Sequence, residues 1–196
     1  MRAPLSADAL DQIFREARTY KWWTDDPVTT GDIEAIYELM KWGPTATNTT
    51  PARFVWVTTP EAKARLEPLL DEGNRKKTTK APATAIVAYD LDFDQFVPFL
   101  VPHNPNARSW FADPELRAFE GLRSSTLQAA YLMLAARALG WDCGPQGGID
   151  REGIDREFLA GTSWRTNFII SIGRGAPEGL RPRAPRLSFD QANRIV

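Results

Sequence analysis

Apolar residues recur at helical spacing twice in the first forty positions. Leu10, Ile13, Phe14 and Ala17 stand at i, i+3, i+4 and i+7 behind a capping Ser6, and this helix is read to end near Arg18. Ile33, Ile36, Tyr37 and Met40 repeat the pattern, with Thr29 and Asp32 as a capping pair and Gly43 as the stop. The period then changes. Phe54-Val55-Trp56-Val57 and Ala83 to Tyr89 are short apolar runs of the kind that form buried strands, as is Asn167 to Ile172. Thr59-Pro60-Glu61 opens a helix with proline at its first position. Asp113-Pro114-Glu115 opens the longest one, running to Leu139, and its second half is apolar nearly all round, which predicts a central position. A short helix follows from Asp150. Between Asp92 and Phe111 neither period holds, and the tail is rich in proline and arginine. Three strands among helices predict a small sheet wrapped by helices, an α+β fold or an α/β sandwich, with both labels open. No repeat or low-complexity linker divides the chain, so residues 1–196 are read as one domain.

Two connections are unusual. Gly43 to Phe54 packs prolines and small polar residues between a helix and a strand, a loop pinned at both ends that presents hydrogen-bonding groups. Ala138 to Asp150, containing Gly144-Pro145-Gln146-Gly147-Gly148, is read as joining helix to helix, with small residues that let a flat molecule approach the backbone. It is not Gly-x-Gly-x-x-Gly and follows no predicted strand, which disfavours a Rossmann dinucleotide site.

Composition removes several function classes. Lys and Arg number 24 against 25 acidic residues, with no basic run interleaved with aromatics, so nucleic acid has no electrostatic case. The longest apolar stretch is interrupted by Arg137 and too short for a bilayer, and no signal peptide opens the chain; a cytoplasmic protein is expected. One cysteine, Cys143, rules out an internal disulfide, and one histidine, His103, leaves no partners for a hydrolytic triad or a zinc site. Cys143 lies beside Asp142 with no neighbouring cation in sequence, so it reads as a packing residue. With so few reactive side chains, any hard chemistry belongs to a bound cofactor.

Taken together, helix-Gly43-Pro44-Thr45-x-x-Asn48-x-x-Pro51-x-Arg53-Phe54 and Leu139-Gly140-x-x-x-Gly144-Pro145-x-x-Gly148 in a chain near 200 residues resemble the nitroreductase family of FMN-dependent oxidoreductases. Further motifs, Glu16-Ala17-Arg18-Thr19, Ala81-Pro82-Ala83-Thr84, Ala107-Arg108-Ser109-Trp110-Phe111, Gln128-Ala129-Ala130-Tyr131 and Pro185-Arg186-Leu187-Ser188-Phe189, are similar in order and interval to the subgroup of malonic semialdehyde reductases of pyrimidine degradation. The resemblance implies an intertwined homodimer with an FMN at each of two subunit interfaces, which would account for seven tryptophans and ten phenylalanines.

It also implies a set of site residues. Arg18 and Thr19 match the family's phosphate and ribityl motif, with Lys21 as a weaker member. Asn74 and Lys77 match a ribityl-contacting pair, and Arg183 and Arg186 match cations that close over the phosphate, Arg186 being the better aligned. Pro44, Thr45, Ala46 and Asn48 would come from the partner subunit to the ring. Pro145, Gln146, Gly147 and Gly148 would lie at the ring's pyrimidine side and N5. No catalytic side chain and no metal are implied. NADPH or NADH would reduce FMN, and malonic semialdehyde would then be reduced to 3-hydroxypropanoate. A broad nitro, quinone or enone reductase is the alternative, and a flavin-free binding protein on the same fold is a remote one. Arg108, among aromatics in the irregular segment, is the candidate for the substrate carboxylate, with Arg53 next. Trp141, Cys143 and Gln146 depart from the subgroup's pattern beside the expected ring and bear on the substrate pocket.

Overall fold

A computed structural model describes residues 3–104 and 106–196. Four strands form one sheet, β1 (Ala52–Val57), β2 (Ala83–Asp90), β3 (Asp142–Gln146) and β4 (Trp164–Gly173), in the order β1-β2-β4-β3. Every pairing is antiparallel, which settles the label as α+β.

β2 and β4 are central strands, so their residues are buried on both faces and read as continuous apolar runs. One face carries Ala83, Val87, Ile170 and Ile172 against α2 (Thr30–Met40) and α6 (Pro114–Ala138). On the other, Ile86 and Ile169 join Leu66 of α3 (Pro60–Leu66) and Ile154 of α7 (Arg151–Phe158). Each such isoleucine, fully shielded, contributes about 1.5–3 kcal/mol of transfer free energy. Asn167 interrupts the β2–β4 register, and the bulge turns its Nδ2 to donate to Thr126 Oγ1 of α6 at 2.9 Å.

The local signals behave as their chemistry dictates. Thr29 and Asp32 cap α2 reciprocally, and Ser6 Oγ accepts from Ala9 N at the start of α1 (Ala7–Leu10). That first helix widens at Asp11–Arg15 and stops there, short of Arg18, with Phe14 exposed. α6 is central only along the stripe that includes Ala129, Leu132, Ala135 and Ala136; Phe119, Leu122, Leu127 and Tyr131 lie exposed on its other side. The 92–111 segment is a series of short turns around α5 (Val97–Leu100), with its own core of Phe93, Val97, Val101, Ala107 and Phe111.

Two elements differ from the sequence expectation. Asp142–Gln146 is a strand, not a helix-to-helix linker: Pro145 lacks an amide donor and is tolerated because β3 lies at the sheet edge. The charge-rich 72–79 segment is helix α4 (Glu72–Thr79).

Candidate active site

Beyond β3 the chain from Ala17 to Trp23 runs along the sheet edge. Thr19 bridges to Cys143, and Tyr20 N donates to Cys143 O at 3.2 Å. This pairing puts Arg18, Thr19 and Lys21 beside the end of β3. The tail returns to the same place: Arg18 Nη2 donates to Arg181 O, and Arg183 Nη2 donates to Ala17 O at 2.9 Å. α4 supplies Lys77 from the other side. Trp23 Nε1 donates to Lys77 O at 3.0 Å, and burial depresses the Lys77 ammonium below the ordinary lysine value, with the Lys21 charge depressing it further. Among the described residues none of Arg18, Lys21, Lys77, Arg181 and Arg183 makes an ion pair, although Glu178 lines the recess beside Arg18. Converging cations that make no ion pair suit an anion.

The turn after β3 is held by α4, the helix that carries Lys77. Asn74 Nδ2 donates to Gly148 O at 2.7 Å and Asp71 N donates to the same oxygen at 3.1 Å. A β-carbon on Gly148 would stand 2.4 Å from Asp71 Oδ2 and 2.7 Å from Asn74 Nδ2, so a larger residue there would displace those side chains. Gly147 is different. A β-carbon there would meet nothing within 4 Å, and its φ is not in the left-handed region. Neither backbone nor packing within this chain demands a glycine at 147, and the space on its side-chain face is open.

Other candidates lie elsewhere. Pro44, Thr45, Ala46 and Asn48 belong to the loop before β1, on the opposite edge of the sheet, three strand spacings or on the order of 14 Å from β3. Their contacts are with α6 and α5: Ala46 N donates to Ser124 Oγ at 3.2 Å and Asn48 Nδ2 to Leu100 O at 2.9 Å. Thr47, Asn48 and Thr50 hold φ of 47°, 56° and 39°, costing about 1–3 kcal/mol each, a strain sustained by the Thr50 N to Thr45 Oγ1 bond at 3.1 Å and by Thr49 Oγ1 donating to Ala46 O. Arg186 donates only to Ala184 O and Pro185 O in the exposed tail. Thus Arg183 joins the cluster and Arg186, the better aligned by motif, does not. Arg181 joins it unannounced; its place two residues before Arg183 was the only signal.

The proposed substrate cations also sit away from it. Arg108 Nε donates to Asp94 Oδ2 at 3.0 Å, a carboxylate shared with Arg117, while the side chain stays more than half exposed. Arg53 is tied at both terminal nitrogens: Nη2 donates to Asp90 Oδ2 at 2.8 Å, Nη1 to Thr50 O and Ala52 O, with Phe96 and Trp164 against its faces. Trp141 and Cys143 pack into the core, and Gln146 turns inward to Thr78 and Ser171, so none of the three side chains shapes an open pocket. Burial pushes the Cys143 thiol up to about 12.

The recess at Arg18 measures only about 120 Å³, below the roughly 300 Å³ of a small-molecule site. Larger concavities lie apart from it, one of about 560 Å³ between α2, β1 and α5, another of about 720 Å³ on α6 beside Ala46.

The model of the Nitroreductase family matches residues 14–174. The chain belongs to the nitroreductase family. A Stenotrophomonas maltophilia relative, named provisionally as an NADH dehydrogenase/NAD(P)H nitroreductase, is 54% identical over the whole of both chains. Among solved structures, an Exiguobacterium sibiricum protein provisionally named a nitroreductase, in complex with FMN, superposes with a TM-score of 0.84 at 20% identity over all of both chains. An enone reductase of gut-bacterial fatty acid saturation gives 0.83 at 20% identity, covering 98% of this nitroreductase and all of that chain. The fold is therefore that of the family.

Proposed function

We propose that this nitroreductase is an FMN-dependent NAD(P)H oxidoreductase working as a homodimer, and that its acceptor is malonic semialdehyde, reduced with NADPH to 3-hydroxypropanoate. The observation that carries the cofactor reading is the convergence of Arg18, Lys21, Lys77 and Arg183 without ion pairs, together with the open side-chain face of Gly147 in the turn after β3. These residues fit FMN: arginine forks suit a phosphate, and a glycine with open space on its side-chain face leaves room for a flat ring. Arg18, Thr19, Lys21 and Arg183 would hold the phosphate and ribityl chain, with Lys77 beside the ribityl chain, and the backbone from Gln146 to Gly148 would face the ring's N5 side. FMN, when bound, supplies the hydride chemistry, taking a hydride from NADPH or NADH and passing it to the acceptor.

A homodimer is supported by incompleteness. One chain offers a recess too small for FMN, while the loop from Pro44 to Asn48 holds a strained conformation at the opposite sheet edge and α6 exposes Phe119, Leu122 and Leu127. A second copy supplying its loop and α6 face would complete each site and cover those apolar side chains.

Arg108 supports an acidic acceptor, because Asp94 takes only its Nε and the outer guanidinium edge remains available for a carboxylate. A second reading, a broader nitro or enone reductase on the same site, is favoured by the names of the relative and of the enone reductase. Steady-state turnover of malonic semialdehyde, a nitroaromatic and an enone, each with NADPH and NADH, tests the choice. Preference for the nitroaromatic or the enone would replace malonic semialdehyde, and a colourless protein that takes up no FMN would remove the cofactor reading.

A further inference from the structure

One helix grips both ends of the turn after β3. Asn74 and Thr78 stand at i and i+4 on α4 and so share a face. Asn74 holds Gly148 through its carbonyl, while Thr78 Oγ1 donates to Gln146 Oε1 at 3.0 Å. Gln146 Nε2 in turn donates to Ser171 Oγ at 3.0 Å, and Ser171 Oγ lies 3.3 Å from Thr84 Oγ1. Thr78, Thr84 and Ser171 are all buried and Gln146 partly so, and the chain of bonds crosses from α4 through β3 and β4 to β2. Between the two grips lies only Gly147.

We propose that Thr78 is a positioning residue which, through the Gln146 side chain, sets the pitch of the 146–147 backbone amides toward the cofactor and thereby its reduction potential. This rests on the flavin reading above. Gln146 would then act on the ring with its backbone alone, its side chain serving as the lever that Thr78 holds. Amides held at the ring favour the reduced, more negative form of the cofactor over the oxidised one. Losing the Thr78 hydroxyl leaves Gln146 Oε1 unpaired, and a side chain free to re-orient no longer fixes its own backbone.

The test compares Thr78→Val, nearly isosteric, with Thr78→Ser, which keeps the hydroxyl, by measuring the midpoint potential of bound FMN and the melting temperature of each apoprotein. Thr78→Val is expected to weaken reduced relative to oxidised FMN by about tenfold, read as a potential lowered by about 30 mV for a two-electron couple, with Thr78→Ser close to the parent. Gln146→Met, which removes the lever at similar volume, should reproduce the fall and serves if Thr78→Val does not fold. A lowered melting temperature with an unchanged potential would assign Thr78 a packing role and overturn the proposal. So would a fall that Thr78→Ser fails to restore. If the parent protein binds no FMN, the flavin reading fails first and this inference with it, an outcome recognisable before any variant is made.

Discussion

The ring of Tyr131 on α6 stands 2.6 Å from where a β-carbon on Gly43 would lie. Gly43 follows α2 without a left-handed φ, so its glycine is demanded by this approach of α6 and not by the helix stop. Gly43→Ala must push α2 and α6 apart and is expected to cost about 1–3 kcal/mol, measured by urea denaturation. Adding Tyr131→Ala should recover part of that loss in a double-mutant cycle, and strictly additive effects would sink the explanation.

Lys77 gives the cofactor site a pH signature. Burial and Lys21 hold its pKa below the ordinary value in the apoprotein, and a bound anion would raise it again. The contribution of Lys77 to FMN affinity should therefore be flat below its depressed pKa. It should fall as pH rises from the depressed pKa through the raised one, because binding above the former requires taking up a proton. Lys77→Ala should weaken FMN by about 10- to 100-fold, the value of a charge-assisted hydrogen bond, and lose that slope. Titration of flavin fluorescence across pH would show both, and a slope retained in the variant would move the titration to another group.

Cys143 is buried, with its thiol raised from 9.0 to about 12. A group whose folded pKa lies above its unfolded one gives stability that is present below about pH 9 and is lost as pH rises toward 12. Urea midpoints should fall across that window, and Cys143→Ala should lower stability at neutral pH while flattening the alkaline decline. Iodoacetamide should modify the thiol only on unfolding; rapid labelling of folded protein would contradict the burial.

The homodimer makes a direct demand on α6. Leu127 is half exposed on α6, an apolar side chain open to a partner. Leu127→Asp is expected to leave the fold intact, shift sedimentation at micromolar concentration to a 22.0 kDa species, and lower FMN affinity at least tenfold. A monomer that binds FMN as tightly as the parent would end the idea of a shared site.

Arg108→Ala separates the acceptors. Under the malonic semialdehyde reading kcat/KM for that substrate falls by about 10- to 1000-fold, about 1.4–4 kcal/mol, while an uncharged quinone is spared. Because Arg108 also pairs with Asp94, an equal loss on both substrates would mark that pair as a structural tie.

Periodicity sufficed for the long elements. The Thr29 cap, the α6 span and the three apolar strands could be read because each is specified by neighbours in sequence: a side chain three residues on, a 3.6-residue stripe, a run of branched residues. The same reading missed β3 and α4. Asp142-Cys143-Gly144-Pro145-Gln146 has neither alternation nor β-branched residues and is a strand only because β4 offers it an edge, and Glu72–Thr79 has almost no apolar face to announce a helix. The cations divide in the same way. Motif order singled out Arg18, Thr19, Lys21, Lys77 and Arg183, but alignment also favoured Arg186 and passed over Arg181. Which arginine meets Arg18 is decided by how the tail turns back on the 17–23 segment, a contact across about 160 residues that no local pattern encodes. Likewise the sequence determined that Gln146 lies by a glycine pair, while the sheet alone decided that its side chain turns inward to Thr78 and Ser171. Alternation along a strand fixes which face a residue takes only once its partner strand and register are set.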